Sequence, residues 1–337
     1  MHKKTLDTQE FFNQHDPQNS GEHKLLAFLP VQFTLLDNHL TGSDNRSLNL
    51  QMNTGSSLTF RAKKETGVTV RFLKTNQQFT LEDTDLDDSF RRAAKKAKEL
   101  TGTKPGFELN YFSDNPLHSA DQPCWRQLNQ QFLNTTELPE IPDKKLLLKG
   151  NGQETTIPLP DNSGYSLVFV DLNCSVPDLK ILLEQRNQEL NEVLETINQF
   201  FELPSLADLS GADQDWLDKV IDNHRLKSRL RHVVNQNTAI EVAANLIQSG
   251  KIEALGNLLD DVHESILLDF ELTCNKAEQV LSDARNSGII LGSCPLLHND
   301  SMGSLFLIKT EDQDAFHEWL RKTCPEGAPP AVTILFD

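Results

Sequence analysis

The sequence contains no run of about 18 apolar residues, the length a membrane-crossing helix needs. It also lacks positive charge. Its 32 lysines and arginines face 49 acidic residues, for a formal net charge of -17. Binding to nucleic acid requires clustered cations that displace the counterions of phosphate, so no nucleic-acid partner is expected. The longest basic cluster, RLKSRLRH at 225–232, reads as a solvated helix face. CxxC spacing is missing. The five cysteines (Cys124, Cys174, Cys274, Cys294 and Cys324) are scattered and odd in number, which argues against a zinc site and fits a reducing cytoplasm. The N-terminal MHKKTLDTQEFFNQHDPQ has no apolar core after its lysines, so a signal peptide is not expected either. What is present is 337 residues with 37% apolar side chains and a mean hydropathy of -0.45. That length suggests two domains, with cores beneath a very polar surface.

Residues 1–25 form a polar extension whose strong apolar anchors are Phe11 and Phe12. Closely spaced strand-like segments follow: LLAFLPVQFTLL, SLNLQMN, SLTFRA, GVTVRFLK and QFTLE, several alternating apolar with polar residues. LEDTDLDD at 81–88 is an acidic entry to the helix SFRRAAKKAKEL, a charge order that suits the helix dipole. FELNYFS is again a strand, LPEIPD a proline-bracketed connector, and KLLLK and TTIPL two short strands around the turn GNGQ. SLVFVDL at 166–172 is a continuous apolar run, as a buried strand requires. From 178 to about 287 the periodicity turns helical. One stripe is Leu179, Leu183, Leu190, Val193, Ile197 and Phe200. A second runs from Val233 to Ile247 and ends at Gly250, and a third runs from Ile252 to Phe270. SLFLIK and AVTILF are strands around the helix EDQDAFHEWLRKT. The reading is an α+β protein with a β-rich domain over 26–164, a boundary near Gly164, and an α+β domain over 165–337.

One stretch carries a specific resemblance. Residues 229–293 contain RLRHVVNQN and then HESILLDFELTCNKAE. In order and spacing they resemble the R-x-x-H-V-x-x-E-N helix and the H-x-S-L…D-Y-E-V-S-C-P-E-L segment of galactokinases. LPVQFTLLDNHLTGSDNRSLNLQM at 29–52 aligns without gaps to that family's P-G-R-V-N-L-I-G-E-H-T-D-Y-N-G-G motif. KPGFELNYFSDNPLHSA is similar to the strand before its phosphate loop, and PCWRQLNQQF to its P-C-G-I-M-D-Q-F segment. ILGSCPLLHNDSMGS sits where its glycine-rich third motif belongs. The resemblance implies the two-domain fold of the galactokinase, homoserine kinase, mevalonate kinase and phosphomevalonate kinase (GHMP) superfamily, with a ferredoxin-like α+β C-terminal domain.

The chemical parts are depleted. Phosphoryl transfer depends on positioning and charge stabilisation, and on backbone N–H groups that cradle phosphate at a helix N-terminus. By the resemblance, the substrate-binding arginine, glutamate, histidine and aspartate fall on Gln32, Asn38, His39 and Thr41. Asn38 and His39 keep hydrogen-bonding capacity for a sugar hydroxyl; alternatively His39 caps a strand-to-loop turn. The second motif, P-L-G-A-G-L-S-S-S-A, is replaced by PLHSADQPCW, which keeps Pro116 and Leu117 and none of the glycines. The catalytic aspartate position falls at Leu128, Asn129 or Gln130, and none of these can act as a base. The third motif, M-T-G-G-G-F-G-G, becomes PLLHNDSM, leaving Gly303 nearby; bulky side chains there keep the backbone from a phosphate.

The resemblance therefore implies a galactokinase-like protein that has lost ATP-dependent sugar phosphorylation. It would act as a cytoplasmic binding or regulatory pseudokinase, with a monosaccharide or a protein as partner, no membrane association, and no cofactor or metal. The alternative is an active but divergent galactokinase that uses ATP and Mg. Other constellations carry less. His263 and Glu264 lack a ligand at the next helical turn, where Leu267 stands. Cys294, His298 and Asp300 suggest a nucleophile set in a loop but bring no oxyanion device. GNGQ is a turn, and Trp125 beside Arg126 reads as a pocket rim or core filler.

Overall fold

A computed structural model describes residues 23–40, 45–63, 66–73, 77–81, 88–101, 106–113, 122–134, 143–150, 152–160, 163–298, 301–324 and 331–335. The chain divides into two compact units. One holds the described residues of 23–32 and 51–144, the other those of 33–50 and 145–337. A single boundary near Gly164 does not describe this division, because 33–50 and 145–164 go with the C-terminal unit. Two long strands, β1 (His23–Asp37) and β2 (Ser47–Lys63), contribute residues to both units. SLNLQMN and SLTFRA, read as separate strands, are one continuous β2.

The first unit adds β3 (Gly67–Phe72), β4 (Gln77–Thr80) and β5 (Gly106–Ser113). Its strand order is β4-β3-β5-β2, with β1 also paired to β2. β3 and β5 are parallel, Val70 opposite Leu109, so the chain between them must cross over. Part of that crossover is α1 (Asp88–Thr101), whose buried face is Phe90, Ala93, Ala94 and Ala97. Spacing of three and four places these on one stripe, and the alanines let the helix lie close. A helix not read from the sequence, α2 (Gln122–Asn134), buries Trp125, Leu128 and Phe132 in the same core as Phe60, Leu109 and Tyr111.

The second unit holds the hairpin β6 (Lys145–Gly150) and β7 (Gln153–Ile157). Its antiparallel four-stranded sheet comprises β8 (Tyr165–Ser175), β9 (Ile290–His298), β10 (Ser301–Lys309) and β11 (Ala331–Leu335), in the order β11-β8-β10-β9. Its helices are α3 (Leu179–Ile197), α4 (Gln214–Val220), α5 (His224–Gln248), α6 (Ala254–Glu264), α7 (Asn275–Ser287) and α8 (Gln313–Thr323). The α3 stripe buries Leu179, Leu190, Val193 and Ile197, but Phe200 lies past the helix end and is 63% exposed. Asn223 starts α5 by accepting from the backbone N–H groups of Arg225 and Leu226, the usual work of an asparagine at that position.

Two sequence expectations change. Cys294 and His298, read as lying in a loop, are on β9, which pairs with β10, Leu305 opposite Cys294. Cys174 at the end of β8 and Cys274 at the start of α7 form a disulfide 100 residues apart in sequence. It runs against the reducing setting expected from the cysteine spacing. Among the described residues no helix is long and apolar enough to cross a membrane.

Candidate functional site

The segment SILLDFEL shows how the second unit builds its centre. α6 runs directly into a π-helical turn, Ser265–Phe270, which stops at Glu271 with φ +56°. That left-handed residue turns the chain away, and the carbonyls of Asp269 and Phe270 need partners from outside the helix. Two buried arginines supply them. Arg186 Nε donates to the Phe270 carbonyl at 2.8 Å, and an Arg229 terminal nitrogen donates to the Asp269 carbonyl. The guanidinium groups are balanced by two carboxylates. Arg229 meets Glu189 at 2.7 Å and Glu271 at 2.5 Å; Arg186 meets the same pair at 3.1 and 3.0 Å. Burial alone would raise the Glu189 pKa, but Arg229, Arg186 and Arg225 together hold it below the ordinary carboxylate value. Buried charge is tolerated because every member is paired and hydrogen-bonded.

The next turns of α5 carry His232, Gln236 and Asn237, all buried. They face the 33–50 segment of the same unit. Asn38 Nδ2 donates to Asn237 Oδ1 at 3.0 Å. Asn237 Nδ2 in turn donates to the carbonyls of Leu206 and Leu209. Asn38 Oδ1 accepts from the backbone N–H groups of Leu40 and Arg46. His39 has φ +59°, and its backbone N–H donates to Asp37 at 2.7 Å. Its Nδ1 is 3.0 Å from His232 Nε2, and His232 Nδ1 is 3.0 Å from Ser265 Oγ. Both imidazoles pack on Phe270, with centroids 4.8 and 4.4 Å from its ring. Burial pushes both histidine pKa values down, although Asp37 acts the other way on His39. Neutral imidazoles can share one proton per link, so the chain His39–His232–Ser265 has two tautomeric registers.

Beside this chain lies a cavity of about 160 Å³. Its polar lining is Thr34, Asp37, His39 and Gln236, and its walls include Ile266, Leu272, Leu297 and Met302. Neither amide atom of Gln236 has a hydrogen-bond partner among the described residues, although the side chain is 1% exposed.

The expected site residues are only partly assembled here. Asn38 and His39 join the network of the second unit; at His39 it is Asp37 that accepts from the backbone N–H, while the imidazole pairs with His232. Gln32 belongs to the first unit, is exposed, and touches Gln51 at 3.4 Å. Thr41 lies outside the described residues, as do Pro116 and Leu117. Of the three aspartate-position candidates on α2, Leu128 is in the core and Gln130 is exposed. Asn129 is fully buried, accepting from the Tyr111 hydroxyl and donating to Ser89 Oγ at 3.1 Å. Gly303 sits on β10, where an added Cβ would lie 2.6 Å from the Phe169 ring, so close sheet packing requires this glycine.

The minor constellations resolve as structure. Cys294 is buried on β9, not in a loop, and its thiol pKa is pushed up to about 12 by burial. Asp300 and the His298 side chain lie outside the described residues. His263 pairs with Glu278 at 2.8 Å, and the described residues contain no group of three metal-ligating side chains. Trp125 is core, while the Arg126 side chain is outside the described set. Sequence reasoning missed Gln236, Ser265 and the Arg186–Glu189 pair. The histidine and asparagines lie inside quoted motifs, but periodicity cannot report which buried polar groups face each other.

No family model matches the chain. Its fold is similar to that of the Lactococcus lactis galactokinase complexed with galactose, with a TM-score of 0.62 and 18% identity over 97% of this chain and 96% of that one. The Methanococcus jannaschii mevalonate kinase follows, with a TM-score of 0.53 and 11% identity over 95% and 100%. These define the class: an α+β protein with the two-domain GHMP kinase fold. Among curated proteins the chain is 25% identical to the Bacillus subtilis galactokinase over 131 residues, 39% of this chain and 34% of that protein. It is also 25% identical to the Limosilactobacillus reuteri galactokinase over 152 residues, 45% and 39%. The matched part thus spans little more than a third of the length of these relatives. The chain thus has the fold of the GHMP kinases and is similar to galactokinases over part of its length.

Proposed function

We propose that this galactokinase-like chain has lost ATP-dependent phosphorylation of a sugar and works by binding, as a regulatory pseudokinase in the cytoplasm. The observation that carries the reading is the state of α2. The resemblance sets the family's catalytic aspartate at Leu128, Asn129 or Gln130, and no such side chain takes up a proton as a carboxylate does. Asn129 is moreover occupied on both sides by Tyr111 and Ser89. The β9–β10 hairpin supports the same reading. Leu296 and Leu297 lie in paired strand, and Gly303 is packed beneath Phe169. These residues do not fit a triphosphate with its Mg ion, and no transfer step is derived. The partner is then a small molecule, a monosaccharide among them, or a protein. The disulfide Cys174–Cys274 is the observation against the cytoplasmic setting.

The test is thermal shift with ATP–Mg and with galactose, followed by an assay of ADP release in the presence of both. The expected outcome is no shift with nucleotide and no ADP above the blank. Galactose-dependent ADP release would establish the alternative, an active divergent galactokinase.

A further inference from the structure

The 160 Å³ cavity raises a question of matching. A cavity of about 150 Å³ with aliphatic walls accommodates a benzene-sized molecule, so the space suits a compact ligand of similar size. The walls formed by Ile266, Leu272, Leu297 and Met302 demand an apolar body. The amide of Gln236 is sealed off from the cavity. Polar contact therefore falls to Thr34, Asp37 and His39, each of which keeps some exposed surface. Asp37 brings the negative charge. Its Oδ1 accepts from His39 N–H and Asn45 Nδ2, while its Oδ2 has no hydrogen bond, and no lysine or arginine pairs with it, among the described residues. A carboxylate with no counter-charge beside an apolar wall repels anions and favours a cation. Thr34 Oγ1 gives its proton to Asn49 Oδ1 at 2.8 Å, so toward any further group it can only accept. His39 Nδ1 is engaged by His232. In the register where His232 gives its Nδ1 proton to Ser265, His232 Nε2 accepts from His39 Nδ1–H, and His39 Nε2 is left a bare acceptor. The polar side then offers acceptors on three residues and no donor. The complement is an alkylammonium, with three N–H donors and one positive charge.

We propose that this cavity binds a primary amine with a compact apolar body, its ammonium group held by Asp37 and His39 with Thr34 as the third acceptor. The proposal rests on the binding-protein reading above and names the ligand class for its site. A chain with a net charge of -17 also draws cations to its surface at large, and a second cleft of the same unit is lined by Asp261, Glu264, Leu268 and Asp269. The experiment must separate the cavity from both.

Benzylamine and cyclohexylamine are the probes, with benzyl alcohol, benzyltrimethylammonium and benzoate as comparators, titrated into the full chain at neutral pH and physiological salt and followed by saturation-transfer NMR. Both amines should bind at least about ten-fold more tightly than benzyl alcohol, which has the shape without the charge. Benzyltrimethylammonium, which has the charge without an N–H, should bind as weakly as the alcohol, and benzoate more weakly still. Asp37→Asn keeps an oxygen for the His39 N–H and should bring benzylamine level with benzyl alcohol. Leu297→Trp, filling the first cavity, should abolish amine binding, and Leu268→Trp in the second cleft should leave it intact. Equal binding of benzylamine and benzyl alcohol to the unmodified chain would overturn the proposal. So would equal binding of benzylamine and benzyltrimethylammonium, binding of no probe, or loss through Leu268→Trp but not Leu297→Trp. ADP release assayed on the same preparation keeps the two readings apart: it would end the binding-protein reading whatever the amines do, and failed amine binding leaves that reading standing.

Discussion

Two stretches of the second unit contrast. Between Arg229 and Cys274 the π-helical turn is held by charges spent on the protein itself: Arg229, with Arg186 from α3, caps its last carbonyls, and Glu271, with Glu189 from α3, balances them. Between Ile290 and Ser304 the described residues lie in the paired strands β9 and β10, with Leu296, Leu297 and Met302 at the cavity. The first stretch reads close to the galactokinase pattern and the second does not. The difference has a physical sense. A buried arginine that holds two orphan carbonyls is needed by the fold whatever the protein binds. A glycine loop that cradles phosphate is needed only by the chemistry, and once that is lost, side chains can fill the space.

The contrast is most sharply broken by removing Arg229. Arg229→Met removes the buried guanidinium that sits between Glu189 and Glu271, leaving Arg186 alone to balance them inside, and takes the donor from the Asp269 carbonyl. Loss of one partner of a buried ion pair costs about 3–5 kcal/mol, and urea unfolding of the variant should register a loss of that size. Arg229→Lys keeps the charge without the fork geometry and should fall between. A change below about 1 kcal/mol, as for a surface pair, would mean that this network is not the reason the stretch resembles its relatives.

Gly303→Ala probes the other stretch. If the glycine serves sheet packing, a methyl group 2.6 Å from the Phe169 ring and 2.7 Å from the Val170 carbonyl overpacks the core. The expected cost is about 1–3 kcal/mol, read as a lower urea midpoint with an unchanged m-value. A neutral result would indicate an open loop at this glycine and would weaken the case against a phosphate site.

Much of the fold was legible. The strands of the first half alternate, and the stripes of α3, α5 and α6 follow helical spacing, so hydrophobic pattern sufficed. It failed where pattern carries no information. α2 was missed because Gln122–Asn134 sets Trp125, Leu128, Phe132 and Leu133 among glutamines and asparagines. The β9–β10 hairpin was masked by reading 290–304 through the relatives' glycines. Phe200 was placed on a stripe that ends at Ile197, since helix ends depend on caps. The disulfide links positions no local signal connects. Of the site, Asn38 and His39 were named from a motif, but their partners on α5 are 199 and 193 residues away, a distance at which only the fold decides contact. Gln236 stands at the glutamate of the quoted R-x-x-H-V-x-x-E-N pattern, but that its amide is unpartnered is a property of its surroundings.

The smallest expected effect concerns the two histidines that join 33–50 to α5. Burial lowers the pKa of His232 well below its ordinary 6.5, and that of His39 also falls, with Asp37, Arg229 and Ser265 as the groups facing the pair. For a histidine held neutral in the fold, the unfolded chain binds the proton first. Stability is therefore whole above pH 6.5 and declines as pH drops from there toward the depressed folded value. The slope is at most about 1.4 kcal/mol per pH unit for each histidine. Glu189, held below the ordinary carboxylate range, adds a separate loss at more acidic pH as it protonates in the fold. Asp269 has the opposite sign, because burial raises its pKa and protonation favours the folded state. Unfolding free energies measured from pH 8 to 3 should thus be flat, then fall below 6.5, and fall further on the acid limb. His232→Gln should reduce that slope by about half while leaving the acid-limb loss from Glu189 in place. An unchanged slope in the variant would show that His232 takes up its proton equally well folded, and the neutral relay between His39 and Ser265 would not exist.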